Sequence, residues 1–373
     1  MKKLILSILF TTFTICLLPV RGLPCTTFIL DNNGSPVIGK NFDYQKGPEL
    51  VMVNKRGVTK TAWPFPIEPN PKLAAWTSKF GSITFNPFAR EMPLEGMNEA
   101  GLLVEGLQVV GGAFPEPDSR SVMSSAQWIQ YQLDTSSTLE EVIASDKDVR
   151  IFQSSNKALS VHFLVCDSQG NSAIIEWLDG KMVVYTGETM PVKVLTNYLY
   201  EKSLKMLHGF RGFGGLWPTG LAGILIKCMP NSIRNALPRF VYAADLVRKF
   251  DPQTSKPTVD YAFDILSRVA QPKFGIAPTG CSMVFDMPNR IVHFRSIHND
   301  KIRSFNLSSF DFSCTIPVKV LDVHADLSGE VSNSFVDYTD EMNRELIKAY
   351  TPNVTDTFLD DFEKYIESQV CTE

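Results

Sequence analysis

Histidine is scarce in this sequence, and positive charge is not in excess. Five histidines, His162, His208, His293, His298 and His324, are spread over 373 residues. None stands in the setting of a nucleophile–His–acid triad, although triad members need not be neighbours in sequence. The chain has no Cys-x-x-Cys pair and no His-Glu-x-x-His helix, so no metal or other cofactor is read from it. Asp322-Val323-His324-Ala325-Asp326 alternates polar groups as a solvated strand edge does. Lysine and arginine number 36 against 40 acidic residues, for a net charge of −4. That balance offers no basic face for a phosphate backbone and argues against nucleic acid as a partner. No internal repeat or low-complexity linker divides the chain.

The leader is what stands out. Met1-Lys2-Lys3 is basic, Leu4 to Leu18 is nearly all apolar, and Pro19-Val20-Arg21-Gly22 breaks the run, the three parts of a secretory signal. The apolar stretch is shorter than the roughly 20 residues that span a bilayer. Val20 and Gly22 suit the −3 and −1 places of a cleavage site, whereas Pro24 at −1 would be poor. The expectation is a signal peptide over 1–22, a short propeptide at 23–24, and one domain over 25–373. The mature protein would be exported, periplasmic or secreted, with no stable membrane span after processing. An uncleaved anchor with an ordinary buried Cys25 is the alternative.

Seven cysteines are present, and Cys16 leaves with the leader. If Cys25 keeps a free thiol, Cys166, Cys228, Cys281, Cys314 and Cys371 remain, and at least one of those five cannot pair internally. An exported compartment permits disulfides, but spacing does not choose among them. Two sequons, Asn306-Leu307-Ser308 and Asn353-Val354-Thr355, matter only in a host that glycosylates exported proteins.

The first hundred residues read as short strands, Thr26 to Leu30, Val37 to Asp43, Leu50 to Asn54 and Ser82 to Asn86, separated by turn residues. Apolar recurrence at three and four predicts helices over Val122 to Leu133 and Thr138 to Ala144. Strands follow at Leu159 to Cys166, Ser172 to Leu178 and Met182 to Tyr185, then helices near Tyr198 to Leu207, Arg239 to Phe250 and Val259 to Val269. Cys281 to Asp286 and Arg290 to Arg295 form a hairpin. Strands from both ends sharing one fold suit two stacked sheets covered by helices. Phe213 to Pro230 departs from this pattern, being apolar yet broken by glycines and prolines. It reads either as a buried loop with a short helix or as an apolar lip over a substrate pocket.

Cys25 carries the chemistry. As the first residue of a mature chain it holds a thiol and a free α-amine on one carbon. The amine pKa of about 7.7–8.0 lies close to a thiol's of about 8.5, so the residue contains a base matched to its own nucleophile and needs no histidine.

Six stretches carry a resemblance: "CTTFIL" at Cys25, "GKNFDY" at Gly39, "GMNEAGL" at Gly96, "VLTN" ending at Asn197, "PRFVYAA" from Pro238, and "CSMVFDMPNRIVHFRS" from Cys281. Each is weak alone, but their order over most of the mature chain resembles the choloylglycine hydrolase family. These are N-terminal-nucleophile hydrolases of linear amide C–N bonds, among them conjugated bile salt hydrolases and penicillin V acylases. The resemblance implies a four-layer αββα sandwich, an α+β fold of two antiparallel sheets. It implies Cys25 as nucleophile, Asp43 as holder of the α-amine and substrate, and Asn197 as the side chain of the oxyanion hole. Asn98 would be a second polar residue near the oxyanion, and Arg239 would stabilise charge around the nucleophile. Relatives often form tetramers, so a homo-oligomer, dimer or tetramer, is implied as well.

Lys40 departs from the family pattern, which usually has arginine there. Lysine keeps the charge but loses the planar fork of donors, which bears on how Cys25 is positioned. Each of these residues also has an ordinary alternative: Asp43 and Asn98 in turns, Asn197 as a helix cap, Arg239 in an ion pair. Taken together, they imply hydrolysis of a small N-acyl amide with an apolar acyl group through a thioester. An acyltransferase on the same scaffold is the first alternative. A non-catalytic envelope protein binding lipid or a partner is the second.

Overall fold

The computed structural model describes residues 24–44, 47–65, 70–152, 160–229, 235–274 and 277–372. The leader and Leu23 lie outside the described residues. Two large sheets, antiparallel but for one short edge pairing, stack face to face, with helices on their outer sides. The first sheet runs in the order Val194–Leu195, Thr26–Asn32, Ser35–Asp43, Thr279–Asp286, Ile291–Ser296, Arg303–Asn306 and Gly329–Glu330. The second runs Lys181–Thr186, Ser172–Leu178, Val161–Cys166, Leu103–Gln108, Glu95–Asn98, Ser82–Asn86, Leu50–Asn54, Lys319–Asp322 and Val336–Asp337. Helices Ala236–Arg248 and Thr258–Val269 pack on the first sheet, and Ser125–Thr135 packs on the second.

Being covered on both sides explains the burial pattern. Ser35–Asp43 is buried at every position after its first, because one face meets the second sheet and the other meets helices. Ile291–Ser296, nearer the edge, alternates buried and half-exposed residues instead. Between the sheets, Phe85 meets Phe285 and Phe294 edge-on at 6.3 and 5.9 Å. On the helix side Phe28 lies across its cross-strand partner Gly39, where any Cβ would run into the ring. Burying such a side chain contributes about 1.5–3 kcal/mol.

The strands expected in the first hundred residues all form. The helix expected from Val122 begins later, at Ser125, since Ser124 Oγ accepts the Gln127 N–H at 3.1 Å and Ser121–Met123 pairs with Val149–Ile151. The start of the strand expected from Leu159 falls outside the described residues, and Val161–Cys166 forms. Glu95–Asn98, Leu103–Gln108 and the C-terminal helices Asp340–Tyr350 and Asp356–Glu367 were not read from the sequence. Cys314 and Cys371 form a disulfide, leaving Cys25, Cys166, Cys228 and Cys281 as free thiols. Among the described residues no helix is long and apolar enough to cross a membrane, and no group of three potential metal ligands occurs. The Asp322–Asp326 run leaves its strand in a turn, where His324 Nε2 donates to Gly47 O at 2.9 Å.

Candidate active site

Two adjacent strands and one helix bring the residues together. Thr26 pairs with Asn41, so Cys25 lies just beyond this register beside Phe42. Side-chain alternation then divides the pair. Cys25 and Thr27, with Lys40, Phe42 and Tyr44, face the second sheet, while Thr26, Asn41 and Asp43 face the helices. The contacts agree: Thr27 Oγ1 donates to Glu105 on the second sheet, whereas Asn41 Nδ2 donates to Leu266 O of a helix at 2.8 Å.

Asn197 follows Val194–Leu195, which pairs with Thr27 and Phe28 at the sheet edge. Its Oδ1 accepts the Cys25 N–H at 2.8 Å, and its Nδ2 donates to Gln108 O at 2.8 Å. Arg239, in the first turns of Ala236–Arg248, reaches the same point from the helix layer. It donates to Asn197 Oδ1 at 2.8 Å, to Cys25 O at 2.5 Å and to Thr26 Oγ1 at 2.5 Å. Its Nε donates to Asn235 Oδ1 at 2.8 Å, which orients the guanidinium. Asp43 Oδ2 lies 3.7 Å from Arg239 Nη1, and Asp43 Oδ1 accepts from Thr279 Oγ1 at 2.5 Å. Thr279 reaches Asp43 because the strand pairing shifts register between Thr279 and Cys281, a bulge that re-aims a side chain. Four of the six residues expected from the sequence, Cys25, Asp43, Asn197 and Arg239, therefore converge, all buried.

Burial dominates the electrostatics. It raises the Cys25 thiol to about 12, helped by the Asp43 charge and opposed by Lys40, a backbone hydrogen bond from Asp43, and Arg239. It lifts the Asp43 carboxyl to about 7 despite Arg239 and Thr279. Desolvation also lowers Arg239, against the pull of Asp43 and Cys25.

A buried pair supports the arrangement from behind. His162 Nε2 donates to Thr196 O at 2.6 Å, and His162 Nδ1 lies 2.8 Å from Glu176 Oε1, which also accepts the Tyr200 N–H at 2.9 Å. The backbone on both sides of Asn197 is thus fixed by one His–Glu unit. The sequence offered no sign of this, since His162 stands on a strand like any other alternating residue. Thr26, Gln108 and Thr279 were likewise missed, and nothing in the sequence marks the bulge that delivers Thr279.

Three sequence expectations are relocated. Asn98 faces away from Cys25: its Nδ2 donates to Leu133 O and Ser136 O at 2.9 and 2.8 Å, on the helix covering the outer face of the second sheet. Its Oδ1 accepts the Leu102 N–H at 2.9 Å, closing the turn in which Gly101 has φ +88°. It holds a turn to a helix, and the Gln108 carbonyl is what meets Asn197. Lys40 shares the face of Cys25 but spends its ammonium on the other sheet, donating to Glu95, to Gly106 O at 2.9 Å and to Leu94 O at 3.4 Å. Burial alone would depress it, but Glu95 and Glu105 outweigh burial and hold it above the usual lysine value.

The Phe213 to Pro230 segment is a turn followed by the helix Gly220–Cys228, with Pro230 outside the described residues. Leu216 is 82 % exposed and Trp217 59 %. Its tip is not beside Cys25. Thr219 Oγ1 donates to Asp245 at 2.9 Å and Phe213 lies under Arg248, helix positions that lie about 9 Å and about 13.5 Å along the axis from Arg239. A cavity of about 530 Å³ opens there, lined by Ile29, Leu204, Phe213 and Phe250 among others, and Cys25 is not in its wall.

Comparison with known proteins agrees with this fold. A family model of linear amide C–N hydrolases, choloylglycine hydrolase family, matches residues 25–320. The penicillin V acylase of Pectobacterium atrosepticum is 26% identical over 261 residues, 64% of this chain, and the match spans 63% of that protein's length. The penicillin V acylase structure from Agrobacterium tumefaciens superposes with a TM-score of 0.66 at 24% identity, over 84% of this chain and 98% of that one. A mutant of the conjugated bile acid hydrolase from Clostridium perfringens gives 0.62 at 18% identity, over 82% and 98%. These two likenesses concern the fold alone. With the matched span starting at Cys25 and running through Asn197 and Arg239, the chain belongs to the choloylglycine hydrolase family of linear amide C–N hydrolases.

Proposed function

We propose that the protein, once residues 1–24 are removed, hydrolyses N-acyl amides with an apolar acyl group through Cys25. Candidate substrates are conjugated bile salts, penicillin V, acyl-homoserine lactones and N-acylethanolamines. The observation that carries this reading is the double hold on Cys25: Asn197 Oδ1 on its nitrogen and Arg239 on its carbonyl oxygen. In the unprocessed chain that nitrogen is a peptide amide without basicity, and the thiol, at about 12, stays protonated. Cleavage before Cys25 turns the same nitrogen into an amine with a pKa near 7.7–8.0, already lodged against Asn197.

The amine then takes the thiol proton as sulfur attacks the amide carbonyl. Asn197 Nδ2, held against Gln108 O, is the donor assigned to the oxyanion, and one such donor contributes about 2.7–4 kcal/mol. Collapse breaks the C–N bond, and the ammonium returns its proton to the departing amine. Water, deprotonated by the freed α-amine, attacks the thioester, and the thiolate recovers the proton as it leaves. Asn197 and Arg239 hold the α-nitrogen and the Cys25 backbone in place throughout, with Asp43 beside the Arg239 guanidinium.

Export belongs to the same reading. The basic-then-apolar leader and the Cys314–Cys371 disulfide both suit an oxidising compartment. Self-association, as dimer or tetramer, would use the exposed Leu216, Trp217 and Ile224. The test is a screen of the four substrate classes with the purified protein and its Cys25→Ala variant. Turnover of at least one class, abolished in the variant with little loss of folding, is expected. Equal turnover by the variant would refute the assignment.

A further inference from the structure

The family match ends at residue 320, yet the chain beyond it packs against the residues that follow the Asp43 strand. We propose that this C-terminal segment, through Tyr350 and His324, builds a wall of the substrate site and sets its preference for a flat aromatic group. The proposal rests on the hydrolase reading above. Tyr44 follows Asp43 and, by alternation, lies on the Cys25 face of the sheet, one pleat beyond Phe42. Tyr350 stacks on Tyr44 with centroids 5.1 Å apart and planes 24° from parallel. Phe88 meets both rings edge-on, at 5.6 and 5.2 Å. All three rings are partly exposed, so the cluster is not sealed core.

The segment also grips the backbone leaving the Asp43 strand. His324 Nε2 donates to Gly47 O at 2.9 Å, and Tyr350 OH donates to Pro48 O at 3.2 Å. A Cβ at Gly47 would sit 2.6 Å from the Tyr350 hydroxyl, so glycine is what admits the ring. Trp63, which opens the next loop, packs against Phe358, Phe362 and Tyr365 of Asp356–Glu367 at 5.7, 4.9 and 5.2 Å. The disulfide and the pairing of Val370–Cys371 with Val58–Thr61 fasten the end. Selectivity therefore belongs to this wall rather than to the exposed Leu216–Trp217 tip. Ring faces and edges pair with an aromatic substrate group beyond simple burial, corresponding to roughly a two- to tenfold preference over an alkyl chain of equal area.

The test uses the full chain as processed by its host, carrying Cys228→Ser to remove the exposed thiol. Two amides of one amine, an arylacetyl and a linear alkanoyl of matched area, are compared by kcat/KM. Tyr350→Leu is expected to lower the aryl-to-alkyl ratio two- to tenfold, and Tyr350→Phe to keep it. His324→Ala, which releases Gly47 without touching the rings, should move the ratio the same way. In parallel, the rates of Cys25 alkylation by an aryl maleimide and by iodoacetamide are compared, and Tyr350→Leu should lower that ratio too. A parent that turns over neither of these amides nor any of the four substrate classes named above would refute the hydrolase reading, while the alkylation ratio still reports on the wall. Both ratios unchanged in folded Tyr350→Leu and His324→Ala would overturn the proposal.

Discussion

Asp43 illustrates how burial sets a residue's behaviour. Its folded pKa of about 7 lies above the ordinary carboxylate value of 3.8, so between these limits the folded chain binds the extra proton. The contribution of Asp43 to stability is then full below about pH 4 and is lost as pH rises through about 7. Asp43→Asn should remove this slope, so the melting temperature of the variant relative to the parent should rise from pH 5 to pH 8. A constant difference across that range would show that Asp43 is not desolvated as described. Lys40 calls for the opposite emphasis from that suggested by its sequence motif. Its ion pair with Glu95 is fully buried, and removing one partner of such a pair costs about 3–5 kcal/mol. Lys40→Met is therefore expected to reduce stability by that order, measured by urea unfolding, at least as severely as it reduces turnover. A variant of parental stability but low activity would restore the reading in which Lys40 positions Cys25.

At the level of elements, the strand ends were legible where composition alternates or breaks. Thr26 to Leu30 and Val37 to Asp43 carry β-branched and aromatic residues between turn signals, and both formed where expected. Which way a side chain faces was less legible. Asn98 sits in the right motif, but at the end of a four-residue strand its side chain turns to the Ser125–Thr135 helix. Thr279 depends on a register shift that leaves no mark in sequence, and His162 and Glu176 act from positions that look like ordinary core. The His162–Glu176 unit is expected to matter through Asn197 alone. A displacement of about 1 Å at a reacting group costs about 10²-fold. His162→Leu should thus lower kcat by up to that factor with a smaller change in KM, because the oxyanion forms only in the transition state. A variant that raises KM while keeping kcat would place His162 outside this role.

For the whole molecule, the pairing of both chain ends into one sheet was legible from the closing hairpin, which lies beside the Asp43 strand. The C-terminal helices and the disulfide partner were not, since pairing Cys314 with Cys371 depends on where the chain's end returns. That bridge closes a separation of 57 residues, for which the chain-entropy account gives about 4 kcal/mol of stabilisation. Cys371→Ser should lower the melting temperature accordingly, and an unchanged value would mean that the terminal strand is held without it. The central claim concerns Cys25. It is tested most directly by intact-mass and N-terminal peptide mass spectrometry on purified protein, with amide hydrolysis measured on the same sample. The account predicts that activity tracks the fraction of chains beginning at Cys25. Full activity in a sample whose chains all retain Pro24 would contradict it.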